Sequence, residues 1–298
     1  MKKQAKIFVA LVLVLALTAS LFSAAFAETY TQFKDKLVEA PRILFQHKKT
    51  GLKLGDLPVY TAPTPNALRM ANSRAKIDTD RDFYMAGKTP DGWLMVRYDP
   101  GNGTIRTGYI PPQYVRKVKA GKLNYFVNIP VVAGSQINVT DDPIGGRNFF
   151  HTIQQGESFT ILAKYTYNGT WWYIECTVDG GKPARGFIDR QGSKILPGSN
   201  VDDNLNQEPV TLENIGAPSK SPYGQEKIGD IIIAGTDKSS RKLVYKDASK
   251  KSTQITVVYP TVSYPYYGTT TGRNGHTWYY VYVEEDSMWG WVDSEFVR

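Results

Sequence analysis

The stretch Gly275-His276-Thr277-Trp278-Tyr279-Tyr280-Val281, answered across a turn by Gly290-Trp291-Val292, decides the fold. A run of aromatic and β-branched residues with turn residues close behind it forms a strand that reverses into a second strand. The same order stands twice upstream. Gly92-Trp93-Leu94-Met95-Val96 leads to Gly108-Tyr109-Ile110, and Trp171-Trp172-Tyr173-Ile174 leads to Gly186-Phe187-Ile188. Tryptophan precedes glycine by 15, 15 and 12 residues at Trp93/Gly108, Trp171/Gly186 and Trp278/Gly290. Val59, Val139 and Val244 precede the same tryptophans by 34, 32 and 34 residues. One hairpin with a shortened third turn accounts for these intervals, so the chain reads as three copies of a small unit, and arrays of this kind usually bind.

Outward from the hairpins, turn residues at short intervals among β-branched and aromatic residues predict an all-β chain of small barrels or sandwiches. A first unit spans 51–119, a second 120–196 and a third 226–298. In the first, Asp99-Pro100-Gly101-Asn102-Gly103 supplies the reversing loop, and Pro111-Pro112-Gln113-Tyr114-Val115 suits one tight helical turn. Asp179-Gly180-Gly181 and the segment Glu284 to Ser287 make the turn in the other two. Only about Ala120 to Gly134 separates the first two cores, which places them to pack on each other. Residues 197–225 collect proline, asparagine, serine, glycine and aspartate with sparse apolar residues, and read as a weakly ordered linker. In the 28–50 lead-in, Phe33, Leu37 and Val38 at helical spacing predict a short amphipathic helix ahead of an Ile43-Leu44-Phe45 strand step.

Lys2, Lys3 and Lys6, an apolar run from Ile7 to Phe22 and then Ala25-Phe26-Ala27 follow the order of a secretory signal cleaved after Ala27. That run is short for a spanning helix, and no second long apolar stretch follows, so no membrane span is expected after cleavage. Secretion or attachment to the cell envelope is the expected location. The chain carries a net charge of +8, and loss of the three leader lysines leaves +5. Such an excess suits anionic envelope polymers such as teichoic acid; export and the scattering of the basic residues argue against nucleic acid.

The order of an apolar-Tyr start, a long loop, a Gly-x-x-Trp-aromatic-Val strand, a Gly-Trp-Val return and a Ser-x-aromatic-Val ending resembles bacterial SH3-like (SH3b) domains. The third copy is nearest, in Leu243-Val244-Tyr245-Lys246, Gly290-Trp291-Val292 and Ser294-Glu295-Phe296-Val297. The second departs most, with Thr140 in place of tyrosine and an Ile195-Leu196 ending. The resemblance implies tandem five- to seven-stranded barrels on an exported protein that holds cell-wall peptides, glycans or other envelope polymers. A barrel of this size is filled by its own side chains, so its ligands lie in surface grooves, where tyrosine supplies rigid contact area. Weak sites repeated on one chain gain avidity on a polymer. The expected function is therefore non-enzymatic binding of peptidoglycan or an associated polymer. A protein-binding adaptor or adhesin that uses the same grooves is the alternative, and a wall hydrolase ranks below both.

The expected binding residues are Tyr60 and Tyr245 at the start of the variable loop, Tyr109 and Tyr114 after the hairpin, and Tyr264, Tyr266 and Tyr267. The last three belong to a tyrosine-rich run, either a recognition surface or an extended strand bent at proline. Trp93, Trp171 and Trp278 read as filling or capping the cores. Cys176 is the sole cysteine, so no internal disulfide forms. It alternates with Trp172, Ile174 and Val178 on the strand face that Leu94, Val96 and Tyr98 occupy in the first copy and Tyr279, Val281 and Val283 in the third, a core position. A Cys176–His151 nucleophile pair is therefore disfavoured. His47, His151 and His276 lack ligand spacing, and no metal or other cofactor is expected. Asp141-Asp142 and Glu284-Glu285-Asp286 read as solvated turn residues.

Overall fold

Three runs of short strands separated by turns fold, among the described residues, into antiparallel sheets of four, eight and six strands and a two-stranded ribbon. The computed structural model describes residues 30–48, 55–78, 83–100, 104–123, 126–144, 148–166, 170–198, 206–212, 215–237, 240–284, 286 and 288–298. The expected leader and its expected cleavage point after Ala27 lie outside them, as does part of the Asp99–Gly103 loop. No helix among the described residues is long and apolar enough to cross a membrane. A helix, α1, occupies residues 30–38, where the spacing of Phe33, Leu37 and Val38 predicts it.

The first unit holds β1 (Gln46–Lys48), β2 (Asp56–Pro58), β3 (Lys76–Asp78), β4 (Phe83–Lys88), β5 (Leu94–Tyr98) and β6 (Arg106–Ile110). The second holds β7 (Ile129–Ala133), β8 (Ile137–Thr140), β9 (Phe149–Ile153), β10 (Ser158–Thr166), β11 (Thr170–Val178), β12 (Lys182–Asp189), β13 (Lys194–Pro197) and β14 (Val210–Thr211). The third holds β15 (Gly229–Ile232), β16 (Lys242–Tyr245), β17 (Gln254–Val258), β18 (Ser263–Thr271), β19 (Thr277–Val283) and β20 (Met288–Asp293). Neighbours run β7-β10-β11-β12-β8-β9 in the second unit and β15-β18-β19-β20-β16-β17 in the third. The first repeats this order as β1-β4-β5-β6, with a Tyr60–Tyr109 bridge joining the β2–β3 ribbon to β6. In the second and third units the chain returns to its first strand, through β13 against β7 and Val297 against Ile233. The tight turn expected near Pro112 is a single helical turn, Pro112–Val115.

Two repeated irregularities curl each sheet. The fourth strand of every unit shifts register against the fifth, between Met85 and Gly87, Ile161 and Ala163, and Tyr266 and Gly268. The bulged residues Ala86, Leu162 and Tyr267 bend and twist the strand. The second irregularity is the glycine of the repeated triplet. A Cβ on Gly108 would lie 2.4 Å from Val59 Cγ1 and 2.8 Å from the Tyr60 carbonyl oxygen. At Gly186 the distances are 2.6 Å to Val139 Cγ1 and 2.8 Å to Thr140 O; at Gly290 they are 2.6 Å to Val244 Cγ1 and 2.9 Å to Tyr245 O. The upstream valine and the hairpin glycine of the repeat pattern are therefore two sides of one contact, which only a residue without a side chain permits.

The curl gives each sheet an inner and an outer face. Inner faces form the unit cores, with Leu94, Val96 and Ile110 in the first and Val244, Val281 and Val292 in the third. In the second, Trp172, Ile174 and Cys176 share the inner face, as their alternation predicts. The outer faces of the first two units pack on each other in one apolar cluster. Equivalent residues of the two units belong to it: Trp93 and Trp171, Met95 and Tyr173, Tyr109 and Phe187, Ala86 and Leu162. The tryptophans thus serve this joint rather than their own cores, while Trp278 lies edge-on against Tyr245 at 5.7 Å. The same outer face of the third unit, with Tyr267, Tyr280 and Trp291, belongs to the cluster that contains Phe33, Leu37 and Val38 of α1 and Leu212 and Ile215. Within the 197–225 stretch, whose composition reads as a weakly ordered linker, Val210, Leu212 and Ile215 are buried and β14 extends the second sheet. Three well-spaced apolar residues are enough to fasten it.

Polar contacts lock the same joints. Asp141, expected in a solvated turn, is buried and pairs with Arg106 Nη1 at 2.7 Å, and its carbonyl accepts the Thr107 amide at 2.9 Å. Packing of the first unit over the β8 end excludes water from that turn. The Val38 carbonyl at the end of α1 accepts Lys164 Nζ at 2.5 Å and the Tyr282 hydroxyl at 3.1 Å, so helix, second unit and third unit meet at one oxygen. Burial first, then the nearby Arg190 charge, lowers the Lys164 pKa to about 7, partly offset by Glu284. Arg190 Nη2 itself pairs with Glu284 at 2.5 Å, and Arg42 pairs with Asp286 at 2.9 Å.

Two expectations follow from these joints. Arg106→Ala leaves the Asp141 carboxylate buried without its partner and should cost about 3–5 kcal/mol in urea unfolding; a loss below about 1 kcal/mol would show that the pair does not hold the units together. For Lys164 the folded pKa of about 7 lies below the ordinary 10.5, so between those values the unfolded chain binds more protons. Wild type should therefore gain stability relative to Lys164→Met as pH rises from about 7 to about 10, and not below pH 7. Parallel pH profiles of the two proteins would refute the burial of this ammonium.

Candidate functional site

The tyrosines expected to line grooves divide sharply by burial. Tyr109, Tyr245, Tyr264 and Tyr267 are buried and offer no surface. Tyr109 sits in the joint between units, where its hydroxyl accepts from Tyr173 at 3.0 Å and from Arg185 Nη1 at 3.1 Å. Tyr245 packs on Trp278, and Tyr60, half-buried, repeats that contact with Trp93 at 5.5 Å. The Tyr264 hydroxyl accepts the Tyr259 backbone N–H at 3.0 Å. Tyr267 donates to the Pro218 carbonyl. The tyrosine-rich run is the extended strand β18, which explains the burial: alternate residues of a strand covered on both faces are both enclosed. Tyr266 is half-buried against Tyr279, and Tyr114 alone of the seven is clearly exposed, at 42%. The structure does not gather the seven into one site.

A groove the sequence did not single out lies between α1 and the start of β7. Its floor is apolar, from Phe33, Val127, Ile129, Pro130 and Pro197, and it encloses about 410 Å³. Helical geometry builds one wall. Phe33 and Leu37 turn inward to the core, which leaves Gln32, Lys36 and Glu39, at i, i+4 and i+7, as an exposed polar stripe. Asn128 faces them from the other side, its backbone in the left-handed region (φ 49°) that asparagine tolerates. Neither Lys36 nor Glu39 makes an ion pair or side-chain hydrogen bond among the described residues. Partial burial, then the neighbouring Asp35 charge, raises the Glu39 carboxyl pKa. Asp35 itself is engaged, accepting the Ser219 hydroxyl at 2.7 Å and its amide at 3.2 Å. An apolar floor edged by a few convergent polar groups is the usual form of a small-ligand site. The signal in the sequence was present, as the polar side of the amphipathic helix, but periodicity does not tell which polar face overlooks a groove.

Other constellations of reactive residues are structural. Burial, with Glu175 and Glu157 adding to it, pushes the Cys176 thiol up to about 12, so it stays protonated at neutral pH. His276, Asp293 and Glu295 bring ligand atoms within 4.8 Å of one another. Their polar capacity is taken up locally: Asp293 accepts from His276 Nδ1 at 2.8 Å, Asn274 Nδ2 at 3.1 Å and the Glu295 amide at 3.1 Å, and Lys250 pairs with Glu295 at 2.5 Å. The backbone and side-chain donors hold the Asp293 carboxyl below its ordinary pKa despite burial. This network ties the Gly272–Gly275 turn to the end of β20.

No family model and no curated protein matches the chain. Among solved structures it is similar to NlpC2 from Trichomonas vaginalis, with 15% identity over 86% of this chain and 97% of that one at a TM-score of 0.22. NlpC1 from Trichomonas vaginalis shows 14% identity over 86% of this chain and 92% of that one at a TM-score of 0.22. An NlpC/P60 endopeptidase from Photobacterium damselae subsp. piscicida shows 13% identity over 77% of this chain and 59% of that one, at 0.15. Likenesses at these scores carry no argument about the chemistry of this chain.

The state of the thiol is open to direct measurement. Cys176 in the native protein should resist alkylation by iodoacetamide at pH 8 and react fully after denaturation. Rapid modification of the folded protein would contradict both its burial and its raised pKa.

Proposed function

We propose that this is an exported, non-enzymatic protein that binds a cell-wall polymer, peptidoglycan or a polymer attached to it, and that the groove beside α1 is its contact site. The observation that carries the reading is the groove: an apolar floor bordered by Gln32, Lys36, Glu39 and Asn128, with Lys36 and Glu39 unpaired among the described residues. Side chains that folding does not use are available to a ligand. Three further features support the reading. The first residues follow the order of a secretory leader, the repeated units resemble bacterial SH3-like domains, and the net charge of +5 expected after leader loss favours an anionic polymer. The protonated, buried Cys176 offers no nucleophile, which favours binding over hydrolysis.

Co-sedimentation with purified sacculi, with and without teichoic acid, tests this. The protein should pellet with both at low salt, and Val127→Arg, which fills the groove from a partly exposed position, should lower the bound fraction at least about fivefold. Failure to sediment with either preparation, or full binding by Val127→Arg, would count against the polymer or against the groove respectively.

A further inference from the structure

Lys36 and Glu39 stand one helical turn apart on the same wall, with opposite charge, above the apolar floor. Side chains at this spacing are about 5–6 Å apart at Cβ and commonly pair with each other. Here they do not, among the described residues, although nearby charges on the same surface are engaged: Asp35 by Ser219, Arg42 by Asp286 and Arg190 by Glu284. The groove therefore presents one cationic and one anionic side chain along its helical wall. Glu39 is also a group that an incoming positive charge would favour in its ionised form. Partial burial and the Asp35 charge both disfavour its ionised form, and the opposite charge of an ammonium at that point offsets them. In the same groove Phe33, Val127 and Ile129 supply an apolar lining suited to an aliphatic stem.

We propose that the groove recognises a short peptide end bearing a free side-chain ammonium and, one residue away, a free carboxylate: Glu39 accepts the ammonium, Lys36 pairs with the carboxylate, and the floor takes the methylenes between. The volume of about 410 Å³ lies toward the small end of ligand pockets and holds such an end rather than a folded partner. The proposal rests on the polymer-binding reading above, since the peptide branches of a wall polymer are the source of such ends.

The test uses the full chain and a fluorescein-labelled Ala-Lys-Ala probe, with the dye at the N-terminus, in an anisotropy titration. Acetylation of the lysine amine, amidation of the C-terminus, Glu39→Gln and Lys36→Met should each weaken binding by about three- to tenfold. Glu39→Gln should add nothing to the loss caused by acetylation, and Lys36→Met nothing to the loss caused by amidation. Glu39→Asp should recover part of the affinity, and unchanged thermal unfolding would confirm that the variants fold. Equal affinity for the acetylated and free-amine probes, or no binding of either, overturns the proposal. Sedimentation with sacculi separates the two readings: binding that survives full N-acetylation of the sacculi removes the ammonium requirement but leaves polymer binding intact, whereas loss on acetylation supports the proposal.

Discussion

The constraint on which this molecule rests is the close crossing of the sixth strand of each unit over its second. At Gly108, Gly186 and Gly290 the backbone lies so near Val59, Val139 and Val244 that no side chain fits. That contact forces the sheet to curl, and the bulges at Ala86, Leu162 and Tyr267 continue the curl on the other side of the central hairpin. A curled sheet has a concave face that it fills itself and a convex face that it must cover by other means. The rest of the architecture consists of the ways in which three convex faces are covered.

Two of them cover each other. The first and second units present equivalent residues to a shared cluster, among them Trp93 and Trp171, and Tyr109 and Phe187. A third unit has no partner of its own kind, and its face is shielded by α1 and the connecting segment, where Leu212 and Ile215 reach the same core. Burying large apolar side chains contributes about 1.5–3 kcal/mol each, so these joints stabilise the assembly on the scale of a small domain's net stability. The polar locks at Asp141 and at the Val38 carbonyl sit at the same two joints. Their charges are tolerated there because each finds a partner; they also fix one arrangement among the many an apolar surface would permit.

This arrangement explains which parts of the structure were legible in the sequence. Contacts within a unit repeat, so spacing exposes them: the hairpins, the inner face shared by Cys176 and Val96, and the turn at Gly180-Gly181, whose glycines have φ of 76° and 72°. Contacts between units occur once each, so no repeat signals them. Alternation shows that Tyr109 points away from its neighbours in the strand, but not that another unit lies over it. The same limit applies to Asp141, whose sequence context is that of a solvated turn while its partner Arg106 comes from another unit. The short helix was legible from Phe33, Leu37 and Val38, yet its use as a wedge between units depends on the tertiary fold.

The position of the groove follows from that wedge. A helix that buries Phe33 and Leu37 in an apolar cluster and offers its terminal carbonyl to Lys164 and Tyr282 has its orientation fixed by these contacts. Its opposite stripe, Gln32, Lys36 and Glu39, is then held at a set height over Ile129 and Pro130 by contacts that do not involve the stripe itself. A recognition surface gains affinity when its groups are placed before the ligand arrives, because less freedom is lost on binding. In a molecule whose three convex faces are all covered, the helix that closes the last of them also supplies a rigid polar wall for the groove. The covering of an exposed sheet and the preparation of a binding surface are consequences of the same packed helix.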